Sequence, residues 1–78
     1  MKGWLIRLRY VENEREKVGQ WIVACDDWMA ATNRAKAAQG LDGALEESCP
    51  IISTRAVRAA TAMELAGLSA GEARRMRA

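Results

Sequence analysis

The stretch from residue 4 to residue 11 predicts a β-strand whose two faces differ in polarity. One face carries large apolar side chains, those of Trp4, Ile6, Leu8 and Tyr10. The other face carries Arg7 and Arg9. A period of two residues is typical of a strand with one buried face. We therefore expect this strand to be the centre of a small sheet, with its two guanidinium groups on an uncovered face.

The next third of the chain predicts a second strand and a helix. The charged run over 12–17 has no apolar side chain to bury and indicates a solvated hairpin loop, and residues 18–25 are rich in β-formers. Asp26 and Asp27 end that strand and can cap a helix over 28–39, whose alanines allow close packing on a sheet. Gly40 follows as a left-handed C-terminal cap.

The last third predicts one strand and two short helices. Residues 49–57 form the strand, with Pro50 at its start, where no ladder donor is needed. Two capping-box patterns, each a hydroxyl residue followed three positions later by Glu, predict helices at about 62–67 and 70–77. A right-handed crossover then places the third strand beside the first. The predicted fold is a single α+β domain over 1–78: a three-stranded antiparallel-type ββαβ sheet in the order 2-1-3, one helix on a face and two short C-terminal helices.

The composition and length of the chain predict a small hydrophobic core. A chain of 78 residues buries only about 60–65% of its unfolded surface, and this one lacks Phe and has many alanines. A homodimer or a docked partner would supply the missing buried area.

Charge is distributed unevenly although the net value is only +2. Residues 1–11 and 55–78 each carry +3, whereas residues 12–54 carry −4. In the predicted sheet, Arg55 joins Arg7 and Arg9, and guanidinium groups bind carboxylates or phosphates bidentately. The alternative is a solvated or covered face whose arginine stems shield apolar neighbours. For the acidic residues Asp26, Asp27, Glu46 and Glu47, the alternatives are capping with loop solvation, or an acidic patch that competes for a basic surface on a partner.

Catalysis is the least supported class of function. The chain has no His, which is the commonest general base and metal ligand, and its two cysteines, Cys25 and Cys49, lack the companions of a zinc site. It shows no glycine-rich phosphate loop, signal peptide or apolar run long enough to cross a membrane. We therefore expect a cytoplasmic binding protein with two reduced thiols, and no cofactor, metal or small-molecule substrate.

The C-terminal segment from Ala62 to Met76 resembles the helix-turn-helix motif of bacterial and phage repressors. Gly67 matches the turn glycine and Leu68 the apolar residue after it. This resemblance implies a small DNA-binding regulator, with nucleic-acid contacts from Arg74, Arg75 and Arg77. Arginines at a helix C-terminus are also favoured by the helix dipole alone.

As a type, the chain is similar to the anti-CRISPR inhibitors of phages and mobile elements, which are small single-domain proteins without an enzymatic signature. Many of them cover a nucleic-acid-binding or nuclease-recruiting surface of a CRISPR effector complex. The resemblance implies a non-enzymatic inhibitor of a host protein complex, working in the host cytoplasm. Besides the DNA-binding regulator, an oligomeric structural phage protein is the remaining alternative.

Overall fold

A four-stranded antiparallel sheet with one long helix on a face forms the scaffold. The computed structural model describes residues 2–40 and 51–76. In chain order the elements are β1 (Trp4–Glu12), β2 (Arg15–Val23), α1 (Trp28–Gln39), β3 (Ile51–Ala59), α2 (Ala62–Leu65) and β4 (Ala73–Met76). The strand order is β3-β1-β2-β4, so β1 and β2 are internal and β3 and β4 are edges.

The expected three-stranded sheet in the order 2-1-3 is wrong, because a fourth strand occupies much of the segment predicted as the last helix. At Gly71 the backbone φ is 85°, a left-handed conformation that interrupts a helix. The Gly71 N–H donates to the Ala24 carbonyl at 2.7 Å, and the Ala24 N–H donates to the Glu72 carbonyl at 2.9 Å. These bonds direct the chain into β4 along β2. The Glu72 carboxylate still accepts from the Ser69 N–H at 2.6 Å, so the capping-box pattern closes a turn here.

The predicted six-residue hairpin loop over 12–17 is also wrong. The strands continue to a two-residue turn at Asn13 and Glu14, whose φ values of 52° and 63° are those that primed hairpin turns require. The charged side chains then pair across the strands, as Lys17 Nζ does with Glu12 Oε1 at 3.0 Å. Charge in this run therefore marks cross-strand pairing on a solvated ribbon.

Helix α1 has the bounds that the sequence predicted. Asp27 is its N-cap, and Gly40, with φ of 80°, is its left-handed C-cap. The helix buries Ala31 and Ala35 against the sheet. Small side chains at the contact let the helix axis lie close to the strands.

The main core lies between α1 and the sheet face predicted to be apolar. It contains Ile6, Leu8, Tyr10, Val23, Ala31 and Ala35. Two side-chain hydrogen bonds hold the C-terminal end of α1 against this core. Trp21 Nε1 donates to Gln39 Oε1 at 2.9 Å, and Gln39 Nε2 donates to the Tyr10 hydroxyl at 3.1 Å. Gly19 makes room for this contact, since a Cβ there would lie 2.4 Å from Gln39 Oε1.

A second, smaller cluster covers one end of the opposite face. Its buried members are Leu5, Ile22, Ala24 and Leu65. Leu65 belongs to α2, whose capping box of Thr61 and Glu64 is formed as predicted. Helix α2 is a single short turn, so the rest of this face, where the arginines lie, extends beyond it.

Candidate functional site

Three arginines define the candidate site, and we call Arg7, Arg9 and Arg55 the cationic strip. In the β1–β3 ladder Arg7 lies directly opposite Arg55, and in the β1–β2 ladder it lies opposite Gln20. Directly opposed residues in antiparallel strands share a face of the sheet. The strip therefore lies on the face away from α1, because Ile6 and Leu8, the neighbours of Arg7 in sequence, point into the core under the helix.

The three guanidinium groups have different partners. Arg9 forms an ion pair with Glu16, with Nε donating to Oε1 at 2.8 Å, and both side chains remain about half exposed. Arg7 lies beside Gln20, and in the amide orientation that satisfies both side chains the Gln20 oxygen accepts from Arg7 Nε and Nη2 at 3.1 Å. The Arg55 side chain is exposed and has no hydrogen bond or ion pair to any residue in 2–40 or 51–76.

The opposition of Arg7 and Arg55 determines what the strip can do. Like charges directly across a ladder destabilise a sheet. A carboxylate or phosphate placed between them would remove that repulsion, and each guanidinium can donate two parallel hydrogen bonds to such a group. Beside the strip, Val18 lies opposite Arg9 and is 46% exposed, which adds apolar surface next to the charges.

Of the predicted acidic partner-binding residues, the two that the structure describes, Asp26 and Asp27, do not adjoin the strip. Asp27 acts as the N-cap of α1, where its carboxylate accepts from the backbone N–H of Ala30 at 3.3 Å. The backbone carbonyl of Asp26 accepts from Trp4 Nε1 at 3.1 Å. Both residues thus belong to the α1 side of the sheet. The other two members of the predicted patch, Glu46 and Glu47, lie outside the described residues.

The C-terminal arginines do not form one surface. Arg74 Nη2 donates to the Ala66 carbonyl at 2.7 Å, which binds it to the end of α2. Arg75 lies opposite Trp21 in the β2–β4 ladder, on the α1 side at the sheet edge. Arg77 lies outside the described residues. The predicted recognition helix is replaced by β4, so no helix in the described part presents these side chains to a DNA groove.

Arg58 shows what a structural arginine looks like in this protein. Its Nη1 and Nη2 atoms donate to the two carboxylate oxygens of Glu64 at 2.7 and 2.8 Å. This contact is the main reason why the pKa of Glu64 is lowered to about 2, and the Thr61 backbone N–H lowers it further. Arg58 is therefore committed to the capping box of α2, in contrast to Arg55.

An exposed tryptophan is the feature that sequence reasoning missed. Trp28, the first residue of α1, is 52% exposed, and the adjacent Met29 is exposed as well. It borders a groove of about 420 Å³ that Trp4, Thr54, Arg55 and Ala56 also line. The only sequence signal is position, because Trp28 is the first residue of the helix, directly after its N-cap Asp27.

The described residues supply no metal-binding cluster of three His, Cys, Asp or Glu side chains. Cys25 is a free thiol there, and Cys49 lies outside the described part. Within that same part, no helix combines the length and apolar composition needed to cross a membrane. No protein-family model, curated protein or solved structure matches this chain.

Proposed function

We propose that this protein is a small non-enzymatic inhibitor that docks an acidic surface of a partner protein on the cationic strip. The observation that carries the proposal is the direct opposition of Arg7 and Arg55 on the sheet face away from α1. The sheet keeps this like-charge pair, whereas a carboxylate neutralises each of the neighbouring arginines: Glu16 pairs with Arg9, and Glu64 pairs with Arg58. A carboxylate from a partner would complete the strip.

The size of the charged surface favours a protein partner over nucleic acid. Binding to duplex DNA rests on many phosphate contacts, each neutralised by a basic side chain. Here Glu16 already pairs with Arg9, which leaves two guanidinium groups within one cross-strand spacing. That area matches a pair of carboxylates on a protein surface. The retention of Arg74 by α2 gives the DNA-binding alternative no support from the described structure.

The resemblance in kind to anti-CRISPR proteins supplies the first partner class to test. In this proposal the partner is a CRISPR effector complex of the host, and the docked protein blocks its nucleic-acid binding or its recruitment of a nuclease. The action takes place in the host cytoplasm and requires no cofactor.

The experiment is affinity capture from a nuclease-treated bacterial lysate that contains an effector complex, using three forms of the tagged chain. The wild type is compared with the double variant Arg7→Gln/Arg55→Gln. The matched control is Arg15→Gln/Arg75→Gln, which removes the same charge from the α1 side of the sheet. We expect the wild type and the control to retain a stoichiometric effector complex and the strip variant to lose it. Equal retention by all three forms would refute docking on the strip.

A further inference from the structure

We infer that the partner contributes an extended acidic segment that pairs with the edge of β3 as an added strand. This inference rests on the proposed function, because the same Arg55 takes part. Within residues 2–40 and 51–76, β3 pairs only with β1, so its outer main-chain donors and acceptors have no strand partner in this part of the chain. Strand addition to such an edge is a recurrent mode of peptide recognition.

The regular part of the edge coincides with the candidate site. The β1–β3 register shifts at two places, between Leu5 and Ile6 and between Arg9 and Tyr10. Between these shifts, residues 53–56 pair regularly with residues 6–9. An added strand needs such an unbroken stretch, and this one includes Arg55.

The two faces of that stretch require different side chains from the added strand. On the face away from α1 stands Arg55, directly beside Arg7. The groove of about 420 Å³ lies at the same edge, where Thr54, Arg55 and Ala56 line it, and the half-exposed ring of Trp28 borders it on the α1 side. Successive residues of a strand point to opposite faces. A segment in which acidic and apolar residues alternate would therefore place carboxylates near Arg55 and apolar groups against Trp28.

The charges on β3 also indicate that the added strand comes from a different protein and not from a second copy of this chain. The charged residues of β3 are Arg55 and Arg58, and Glu64 already neutralises Arg58. Two β3 strands paired with each other would bring no carboxylate to Arg55, whereas an acidic segment supplies one.

The test uses the full chain and two synthetic peptides, one alternating Glu and Val and the other alternating Lys and Val over seven residues. Amide hydrogen exchange of residues 53–56 is followed by NMR. We expect the Glu–Val peptide, near saturation at low salt, to slow exchange of the outward-pointing amides by about tenfold or more, and the Lys–Val peptide to leave them unchanged. Trp28→Ala should weaken binding of the Glu–Val peptide by about tenfold. Met63→Ala, which removes an 85% exposed side chain, should not.

Three outcomes would overturn strand addition. The first is that the Glu–Val peptide binds without protecting these amides, and that the double variant Arg7→Gln/Arg55→Gln loses this binding. The peptide would then dock on the cationic strip without adding a strand to β3. The second is that the Glu–Val peptide leaves exchange unchanged at millimolar concentration. The third is protection that rises with protein concentration in the absence of peptide, which would identify a second copy as the occupant. Loss of partner capture in the strip variant remains the separate measure of the proposed function.

Discussion

Arg7 and Arg55 stand directly opposite each other across β1 and β3, on the sheet face away from α1. The fold holds the two guanidinium groups in this position, and their like charges do not stabilise the sheet. Gln20 satisfies Arg7 without neutralising it, and Arg55 has no anionic partner among the described residues.

Replacing one member of this pair by an acid should stabilise the fold. For Arg55→Glu we expect the free energy of unfolding to rise by about 0.2–1 kcal/mol, because repulsion becomes a cross-strand ion pair. Added salt should reduce the gain, since exposed charges are screened. Urea denaturation at low and high salt measures both effects, with Arg75→Glu, opposite the uncharged Trp21, as the control. A loss of stability in Arg55→Glu would show that the two guanidinium groups do not repel each other appreciably.

The two adjacent aspartates before α1 should differ in their effect on stability. Asp27→Ala removes the side chain that caps the helix and should lower the free energy of unfolding by about 1 kcal/mol. Asp26→Ala leaves the backbone carbonyl that accepts from Trp4, so we expect a change below about 0.5 kcal/mol. Thermal unfolding of the two variants compares them directly. Equal losses would assign a structural role to the Asp26 carboxylate as well.

Stability should fall on acidification through the range in which Glu64 titrates. The pKa of this carboxyl is about 2 in the folded chain, against 4.5 as its ordinary value. Between these values the unfolded chain binds more protons, so the free energy of unfolding decreases as the pH decreases.

Glu64→Gln should flatten that decrease in a series of urea titrations between those pH values. A residual slope should remain, because the Ser69 backbone N–H lowers the pKa of Glu72 as well. Glu14→Gln, at the hairpin turn, serves as the control. A wild-type slope in Glu64→Gln would contradict the role of the Arg58 contact.

Gly3 should be intolerant of any side chain. A Cβ at this position would lie 2.6 Å from the Val23 carbonyl oxygen and 2.4 Å from Leu65 Cδ2. Because the backbone carbonyl cannot move without disturbing β2, we expect Gly3→Ala to cost about 1–3 kcal/mol. Lys2→Ala, at the exposed neighbouring position, is the control for denaturant unfolding. An unchanged midpoint in Gly3→Ala would mean that the strand shifts freely.

The elements that sequence predicted well are those specified by local chemistry. The faces of β1 follow from its alternation, and Asp27 and Gly40 bound α1 through contacts with their own helix. The Ser69–Glu72 pattern is also local, but it is compatible with either a helix or a turn. What decides between them is the pairing of Gly71 and Glu72 with Ala24, which is distant in sequence.

The candidate site was predictable in part for the same reason. The face shared by Arg7 and Arg9 is a property of one strand, whereas the opposition of Arg55 depends on a ladder with two register shifts. The exposure of Trp28 depends on where α1 begins relative to the edge of the sheet. Neither the shifts nor that position leaves a pattern in the hydrophobic sequence.

The three tryptophan side chains occupy three distinct environments, so the intrinsic fluorescence of the protein reports on different parts of its structure. Trp21 donates a hydrogen bond to Gln39 in α1, so its fluorescence responds when α1 separates from the sheet. Trp4 is bonded to the Asp26 carbonyl at the start of the helix. Trp28 is half exposed beside β3, so its emission responds to whatever covers that edge. Unfolding and docking can therefore be followed as separate spectral changes without an added label.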